Sequence, residues 1–368
     1  MRTEIILLLS WLPACGDQAP VMAGDGAPTP PRDGGVAGQA MLPDAGVVVC
    51  PGDPVPCPGR CNDRGYCQSD RPTGAEIRIP AGTVVMGDRM FAPVITADWR
   101  LATITRPFYI DRTEVPVSAY RACVAAGACS RPINVPADVA CEWGILPDSD
   151  ADKERRRYGL IGDHPVNCVT YAQAETFCQW KGGRLPTHGE WMLAGRGPAS
   201  TRPGSCESTE DLNASDGRCN ARPYPWGDEL DSQRANVASR RPIDEEAWRQ
   251  RTTTPVGFFD GSIHPGESMT SPVTMYAYET HDGSSIFGVH DQIGNLAEWV
   301  ADWGSTRWEQ SGPPRSETGP ATGTYRLVVG GDLDTSAPFF APLGKRIGVL
   351  PESPYVGTGF RCARDVPR

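Results

Sequence analysis

The chain has no Cys-x2-Cys pair and no His-x3-5-His pair, so it lacks the ligand spacing of a structural zinc site. Histidines number only five, scattered singly, which leaves no histidine cluster for a metal centre. Past its first residues no run of 18 apolar residues occurs, so no membrane-spanning helix is expected in the remainder of the chain. Basic charge is scarce. The 35 Lys and Arg face 45 Asp and Glu, a net charge of −10, which argues against a nucleic-acid backbone or an anionic membrane surface as the main partner. No internal repeat marks a solenoid.

Cysteine is abundant, at 13 residues. With zinc spacing absent, the economical reading is an exported chain whose thiols pair as disulfides. The beginning agrees. Arg2 precedes the apolar stretch Ile5 to Leu9, and Leu12-Pro13-Ala14-Cys15 follows. Residues 1–14 read as a signal peptide ending in a lipobox, with Cys15 the expected lipidation site. Such a chain is a cell-envelope lipoprotein that meets the membrane only through its lipid; simple secretion is the other reading. If Cys15 carries lipid, an even number of cysteines remains for pairing.

Composition divides the rest. Residues 15–49 are rich in Gly, Pro, Ala and Asp, without periodicity, and read as a flexible tether. Residues 50–75 hold Cys50, Cys57, Cys61 and Cys67, expected to form two disulfides of open connectivity, either stiffening the tether or making a small recognition module. From residue 76 to 368 the pattern is α+β with low regular secondary structure, in keeping with 41 Gly and 36 Pro. Ile77-Arg78-Ile79-Pro80 and Thr83-Val84-Val85-Met86 read as short strands. Val115 to Ala126 and Tyr171 to Trp180 read as amphipathic helices. Thr187-His188-Gly189-Glu190 is a capping box that opens a third helix through Trp191 and Leu193.

A set of short motifs recurs in order from Ile77 to Asp365. They are Ile79-Pro80-Ala81-Gly82-Thr83 with Met86-Gly87-Asp88, and Phe108-Tyr109-Ile110-Asp111 with Thr113-Glu114-Val115. Next come Arg184-Leu185-Pro186-Thr187 with Glu190-Trp191, then Tyr224-Pro225-Trp226-Gly227 and Thr254-Pro255-Val256-Gly257. Gly294-Asn295 with Glu298-Trp299, Val329-Gly330-Gly331 and Gly359-Phe360-Arg361-Cys362 complete the series. Taken together this region resembles the formylglycine-generating enzyme (sulfatase-modifying factor) family. The resemblance implies that family's disulfide-rich α+β fold, a variant of the C-type-lectin-like architecture.

The family's enzymes use oxygen to oxidise a cysteine of a client sulfatase, with copper(I) held by two cysteines shortly after the Gly-Gly pair. Here those positions fall on Thr335 and Phe340, the usual serine after Gly-Gly is Asp332, and no cysteine lies between Cys219 and Cys362. Neither Thr nor Phe supplies the thiolate that copper(I) takes, so copper is not expected. Two expectations follow. One is a non-catalytic domain that binds a protein, peptide or glycan. The other is an oxidoreductase of the family with an altered site, for which Asp332, Asp334 and a histidine are the candidates. His164 and His188 read as ordinary loop and helix residues. The resemblance also implies structural calcium, with side-chain oxygens from Asp291 and Glu298 and carbonyls from Gly294 and Leu296. A second site would use Asn236 and Val237, but its later acidic ligand is missing, with Asp244, Glu245 and Glu246 nearby. For disulfides the family pairs Cys178 with Cys362. Proximity and family habit then sort Cys123 with Cys129, Cys141 with Cys168, and Cys206 with Cys219.

Overall fold

A computed structural model describes residues 76–87, 100–132, 141–144, 161–200, 206–208, 211, 219–237, 253–266, 276–304, 319–333 and 342–367, together with the backbone of five short strands between 40 and 68. The chain divides into two units, Met1–Gly38 and Gln39–Arg368. The first unit, with the expected signal peptide, Cys15 and most of the expected tether, lies outside the described residues. The rest of this account concerns the second.

Strands β1 (Ala40–Met41), β2 (Val48–Cys50) and β3 (Asp53–Cys57) form a small antiparallel sheet, of which β1 and the first two residues of β2 fall within the stretch 15–49. Strands β4 (Arg60–Cys61) and β5 (Cys67–Gln68) pair antiparallel with Cys61 opposite Cys67. The larger domain follows with β6 (Glu76–Ile79), β7 (Gly82–Met86), β8 (Arg100–Ile104) and β9 (Phe108–Asp111), then helices α1 (Val117–Ala125), α2 (Tyr171–Trp180) and α3 (His188–Arg196). Its remaining strands are β10 (Ile263–Gly266), β11 (Tyr276–Glu279), β12 (Ala297–Gly304), β13 (Tyr325–Val329), β14 (Arg346–Val349), β15 (Thr358–Gly359) and β16 (Ala363–Asp365).

Both boxed helices start where their chemistry requires. Thr187 Oγ1 accepts from Glu190 N at 3.2 Å, and Glu190 Oε2 accepts from Thr187 N at 2.8 Å, so two orphan donors of α3 are satisfied reciprocally. Thr170 and Gln173 do the same at the start of α2, a second box that a search for Glu at the third position overlooks. Helix α1 begins at Val117 rather than Val115: Pro116 precedes it in an extended conformation, while Val115 bonds to Phe360 O and Val166 N.

The sheet of order β14-β13-β12-β15 divides the core. Strand side chains alternate between faces. Val300, Leu327 and Val329 enter one cluster with Ile77, Ile79, Phe108, Ile110, Trp191 and Leu193. Trp299 and Val328 enter the other, with Val117, Tyr120, Phe177 and Phe360 from the α1–α2 side. Strand β16 lies antiparallel to β9, and β9 to β6, so the last strand closes against the first segments of the domain.

Four disulfides staple this frame: Cys123–Cys129, Cys141–Cys168, Cys178–Cys362 and Cys206–Cys219. Cys178 on α2 and Cys362 just before β16 are 184 residues apart in sequence and 5.4 Å apart in Cα position. The pairing of Cys50, Cys57, Cys61 and Cys67 lies outside the described residues. Among the described residues no helix is long and apolar enough to cross a membrane.

Candidate functional site

Strand β13 runs into Gly330 and Gly331, both left-handed at φ +88° and +68°. Gly330 also passes so close to the chain that an added Cβ would sit 2.8 Å from Gln292 O and 3.2 Å from the Trp191 ring. Only glycine meets both demands. The turn delivers Asp332, half-buried, with a carboxylate oxygen packed against the backbone of Gly357. Lys345 lies close enough to Asp332 to feel its charge. Burial lowers the ammonium's pKa and Asp332 opposes that shift. Asp334, Thr335 and Phe340 lie outside the described residues.

Next to this turn is a buried charge cluster. Glu114, Glu298 and Arg361 are buried together, and the half-buried Asp291 lies close enough to them to feel their charges. Arg361 Nε donates to Glu298 Oε2 and Nη2 to Oε1, each at 2.6 Å, a bidentate pair. The remaining guanidinium donors go to the carbonyls of Asp111, Arg112 and His290. Trp191 Nε1 donates to Glu298 Oε2 at 2.9 Å. Glu114 accepts from Asn295 Nδ2 at 2.7 Å and from Leu296 N at 3.0 Å. Asp291 Oδ2 accepts from Gly257 N at 2.6 Å.

Three carboxylates therefore face one guanidinium. Burial pushes Glu114 well above the usual carboxylate range, and the charges of Asp291 and Glu298 push it further. Burial raises Asp291 to about 6, with the Gly257 N–H and Arg361 opposing and Glu298 adding to the rise. For Arg361 burial works against the charge, yet Glu298, Glu114 and Asp291 more than offset it and its pKa is raised.

The loop carrying these groups is shaped for close carbonyl approach, with Asp291, Gly294 and Asn295 all left-handed. A Cβ on Gly294 would lie 2.3 Å from Asn236 O. The segment Asn236-Val237, read as part of a separate calcium site, is thus packed onto the first. Its Asn236 carbonyl accepts from Asn295 N at 2.9 Å. Asp244, Glu245 and Glu246 lie outside the described residues. The carboxylates here outnumber the one guanidinium, and the oxygens that would hold the expected calcium are those of Asp291 and the Gly294 and Leu296 carbonyls. Glu298 departs from the expected pattern. Both of its oxygens already serve Arg361, and one serves Trp191 as well. Among the described residues no three His, Cys, Asp or Glu side chains converge on a metal-sized point.

Copper is a different case. All eight cysteines whose side chains are described are joined in disulfides, so none of these offers the thiolates that copper(I) takes. Both singled-out histidines are interior. His164 Nδ1 lies 2.8 Å from Thr253 Oγ1, which donates to Glu142 Oε1 at 3.0 Å, and all three residues are buried. His188 is buried at the start of α3, and burial holds its pKa well below normal, with Arg346, Arg100 and Arg196 adding to the shift. Glu114, Trp191, Asn295 and Arg361 lie inside the motifs, and nothing in the sequence alone assigns any of them a role. The signal available was the recurrence of charged or amide residues within otherwise apolar motifs.

Comparison with known proteins agrees with this anatomy. The family model described as "Sulfatase-modifying factor enzyme 1-like domain" matches residues 66–366. A formylglycine-generating enzyme of Streptomyces coelicolor is 27% identical over 342 residues, covering 84% of this chain and 95% of that protein. An inactive C-alpha-formylglycine-generating enzyme 2 of Bos taurus is 26% identical over 210 residues, and the chain covers 52% of it, about half its length. The solved structure of PvdO from Pseudomonas aeruginosa aligns with TM-score 0.53 at 20% identity, over 80% of this chain and 95% of that one, a likeness of fold.

Proposed function

The chain belongs to the sulfatase-modifying factor enzyme 1-like family, and from that membership we propose a binding domain that has given up the family's cysteine oxidation. The observation that carries this reading is the stretch after Gly330-Gly331. Thr335 and Phe340 stand where the copper thiolates would be, and no cysteine occurs between Cys219 and Cys362 to replace them. Copper(I) binds soft thiolate sulfur; a hydroxyl and a phenyl ring give it nothing comparable. Oxidation of a client cysteine by oxygen has no electron carrier at this site without it. Fold alone does not restore the chemistry, since function is a property of sites. The relatives include both a formylglycine-generating enzyme and one named inactive, so membership by itself is neutral.

In this reading the domain is exported, held to the cell envelope by lipid on Cys15, and presented on the tether to a protein, peptide or glycan. Calcium at Asp291 and the Gly294 and Leu296 carbonyls, with Glu298 shared between the ion and Arg361, steadies the loop that runs from Asp291 to Leu296. Two measurements test the account. Purified full-length protein, supplied with copper(I) and oxygen, should leave a sulfatase-type cysteine peptide unoxidised by mass spectrometry. Aldehyde formation at a steady rate would falsify the binding-only reading. Metabolic labelling with a palmitate analogue should mark the wild type and spare Cys15→Ala, whereas equal labelling of both would remove the anchor.

A further inference from the structure

Asp260, Ser262 and His264 gather their polar atoms at the start of β10, and nothing above gives them a role. Asp260 Oδ1 accepts from Ser262 N at 2.9 Å and from Ser262 Oγ at 2.6 Å. His264 Nε2 lies 3.2 Å from that same oxygen and 3.2 Å from Ser262 Oγ. The turn that brings them together is pinned in place. Gly261 is left-handed at φ +85°. Its N–H donates to Thr280 Oγ1, and Ser262 O accepts from both Thr280 N and Thr280 Oγ1. The His264 ring stacks on the buried Phe258 ring, centroids 4.1 Å apart, which sets the direction of Nε2. The side chains of His264 and Asp260 are 24% and 46% exposed, so the cluster is open to solvent.

Hydrogen bonding alone serves this cluster poorly. A proton on Nε2 faces two acceptors, each at 3.2 Å, whereas a charge-assisted N–H···O bond settles at about 2.7–2.9 Å. A bare Nε2 would instead set its lone pair against a carboxylate oxygen. Two atoms bonded to one metal ion at about 2.1 Å stand about 3.0–3.4 Å apart, for angles between octahedral and tetrahedral. Both separations from Nε2 fall in that span. Charge points the same way. Asp260 lies directly opposite Asp282 across an isolated antiparallel bridge, and like charges so placed repel. A cation at Asp260 relieves that repulsion.

We propose that Asp260 Oδ1, Ser262 Oγ and His264 Nε2 form one face of a site for a divalent transition-metal ion of the zinc class. An imidazole nitrogen beside a carboxylate suits zinc, nickel or copper(II), and is a poor set for calcium, which takes six to eight oxygens. His264 binds through a deprotonated Nε2, with its proton on Nδ1. Ser262 turns its hydroxyl proton outward and a lone pair inward. Oδ1 thereby exchanges the hydroxyl's hydrogen bond for the ion and keeps the one from Ser262 N. Water fills the remaining positions on the exposed side. Only two of the three side chains are strong metal ligands, so binding is weaker than at a four-ligand structural zinc site. This site goes beyond the binding reading above and does not depend on it.

The test uses full-length protein, stripped of metal with a chelator and then titrated with zinc chloride by calorimetry in excess calcium. The calcium keeps the Asp291 loop out of the readout. Saturable zinc binding is expected. His264→Phe preserves the stack on Phe258 and removes Nε2; Asp260→Asn keeps an acceptor for Ser262 N and removes the charge. Each should weaken zinc by about tenfold or more, and cooperative melting without zinc verifies that both variants fold. His281→Ala, whose imidazole pairs with Asp231 instead, should bind zinc as the wild type does. Absence of saturable binding overturns the proposal. So does equal affinity in the wild type and His264→Phe, displacement of the zinc by calcium, or a loss in His281→Ala as large as in His264→Phe. None of these outcomes bears on cysteine oxidation, so failure here leaves the non-oxidase reading standing.

Discussion

Arg361 illustrates what one buried charge can organise. Its five N–H donors all have acceptors, two of them on Glu298 and three on backbone carbonyls. Arg361→Met would leave Glu298 and its neighbours Glu114 and Asp291 without their guanidinium. Breaking one side of a buried pair typically costs about 3–5 kcal/mol, so the urea midpoint should fall by the equivalent amount. A shift below about 1 kcal/mol would mean that another cation already compensates the pocket. That cation would be calcium in the reading above, and chelation measures it separately. A chelator should lower the melting temperature of the wild type by a few degrees and leave Asp291→Asn unmoved; no response in the wild type sinks the calcium reading. Asp302 gives a pH prediction away from this pocket. Burial raises its carboxyl from 3.8 to about 6, opposed by the backbone N–H groups of His188 and Gly319. A raised folded pKa means the native protein holds the proton more tightly than the unfolded chain. Its contribution to stability is fully present below about 3.8 and is lost as pH rises through about 6. Asp302→Asn should therefore remove part of the decline in melting temperature between those values, and identical slopes for both proteins would contradict the assignment.

At the scale of elements, capping decides where the helices begin. Thr187→Ala removes the acceptor for Glu190 N, and the cost is about 1 kcal/mol, within the range of about 0.5–2 for such caps. Thr187→Ser should restore most of it, since the hydroxyl is what the cap uses. Equal destabilisation by Ala and Ser in thermal melts would point to the methyl packing instead. Element identity was legible where the pattern was local. The Thr-x-x-Glu box and the period of the α2 stretch are written in adjacent residues, and α2 spans Tyr171–Trp180 as its pattern predicts. The first helix came out two residues long at its start, because Val115 answers to strand-like bonds from Phe360 and Val166, partners far away in sequence.

The whole domain is closed by one long-range bond. Cys178–Cys362 spans 184 residues, and the chain-entropy estimate for loops of 100 residues or more is roughly 4.7 kcal/mol, an upper figure because denatured chains keep residual structure. That is a large share of the ~5–15 kcal/mol that typically holds a domain together. Replacing both cysteines by alanine should lower thermal stability more than replacing Cys123 and Cys129, whose loop spans only 6 residues. The ordering reads directly from paired melting curves, and its reversal would show that strain or packing, rather than loop closure, sets the contribution of Cys178–Cys362.

The sequence by itself determined the local and the chemical. Family motifs appear in order, capping boxes are contiguous, and the lack of any cysteine between Cys219 and Cys362 needs no coordinates, because a missing sulfur is missing in any fold. Only the tertiary structure decided which charges meet. Glu114, Asp291, Glu298 and Arg361 come from three separate stretches of chain, and nothing in their spacing reveals that one guanidinium serves the group. The same holds for β14. That one edge of it faces no other described strand follows from pairing order, which sheet topology sets through contacts distant in sequence.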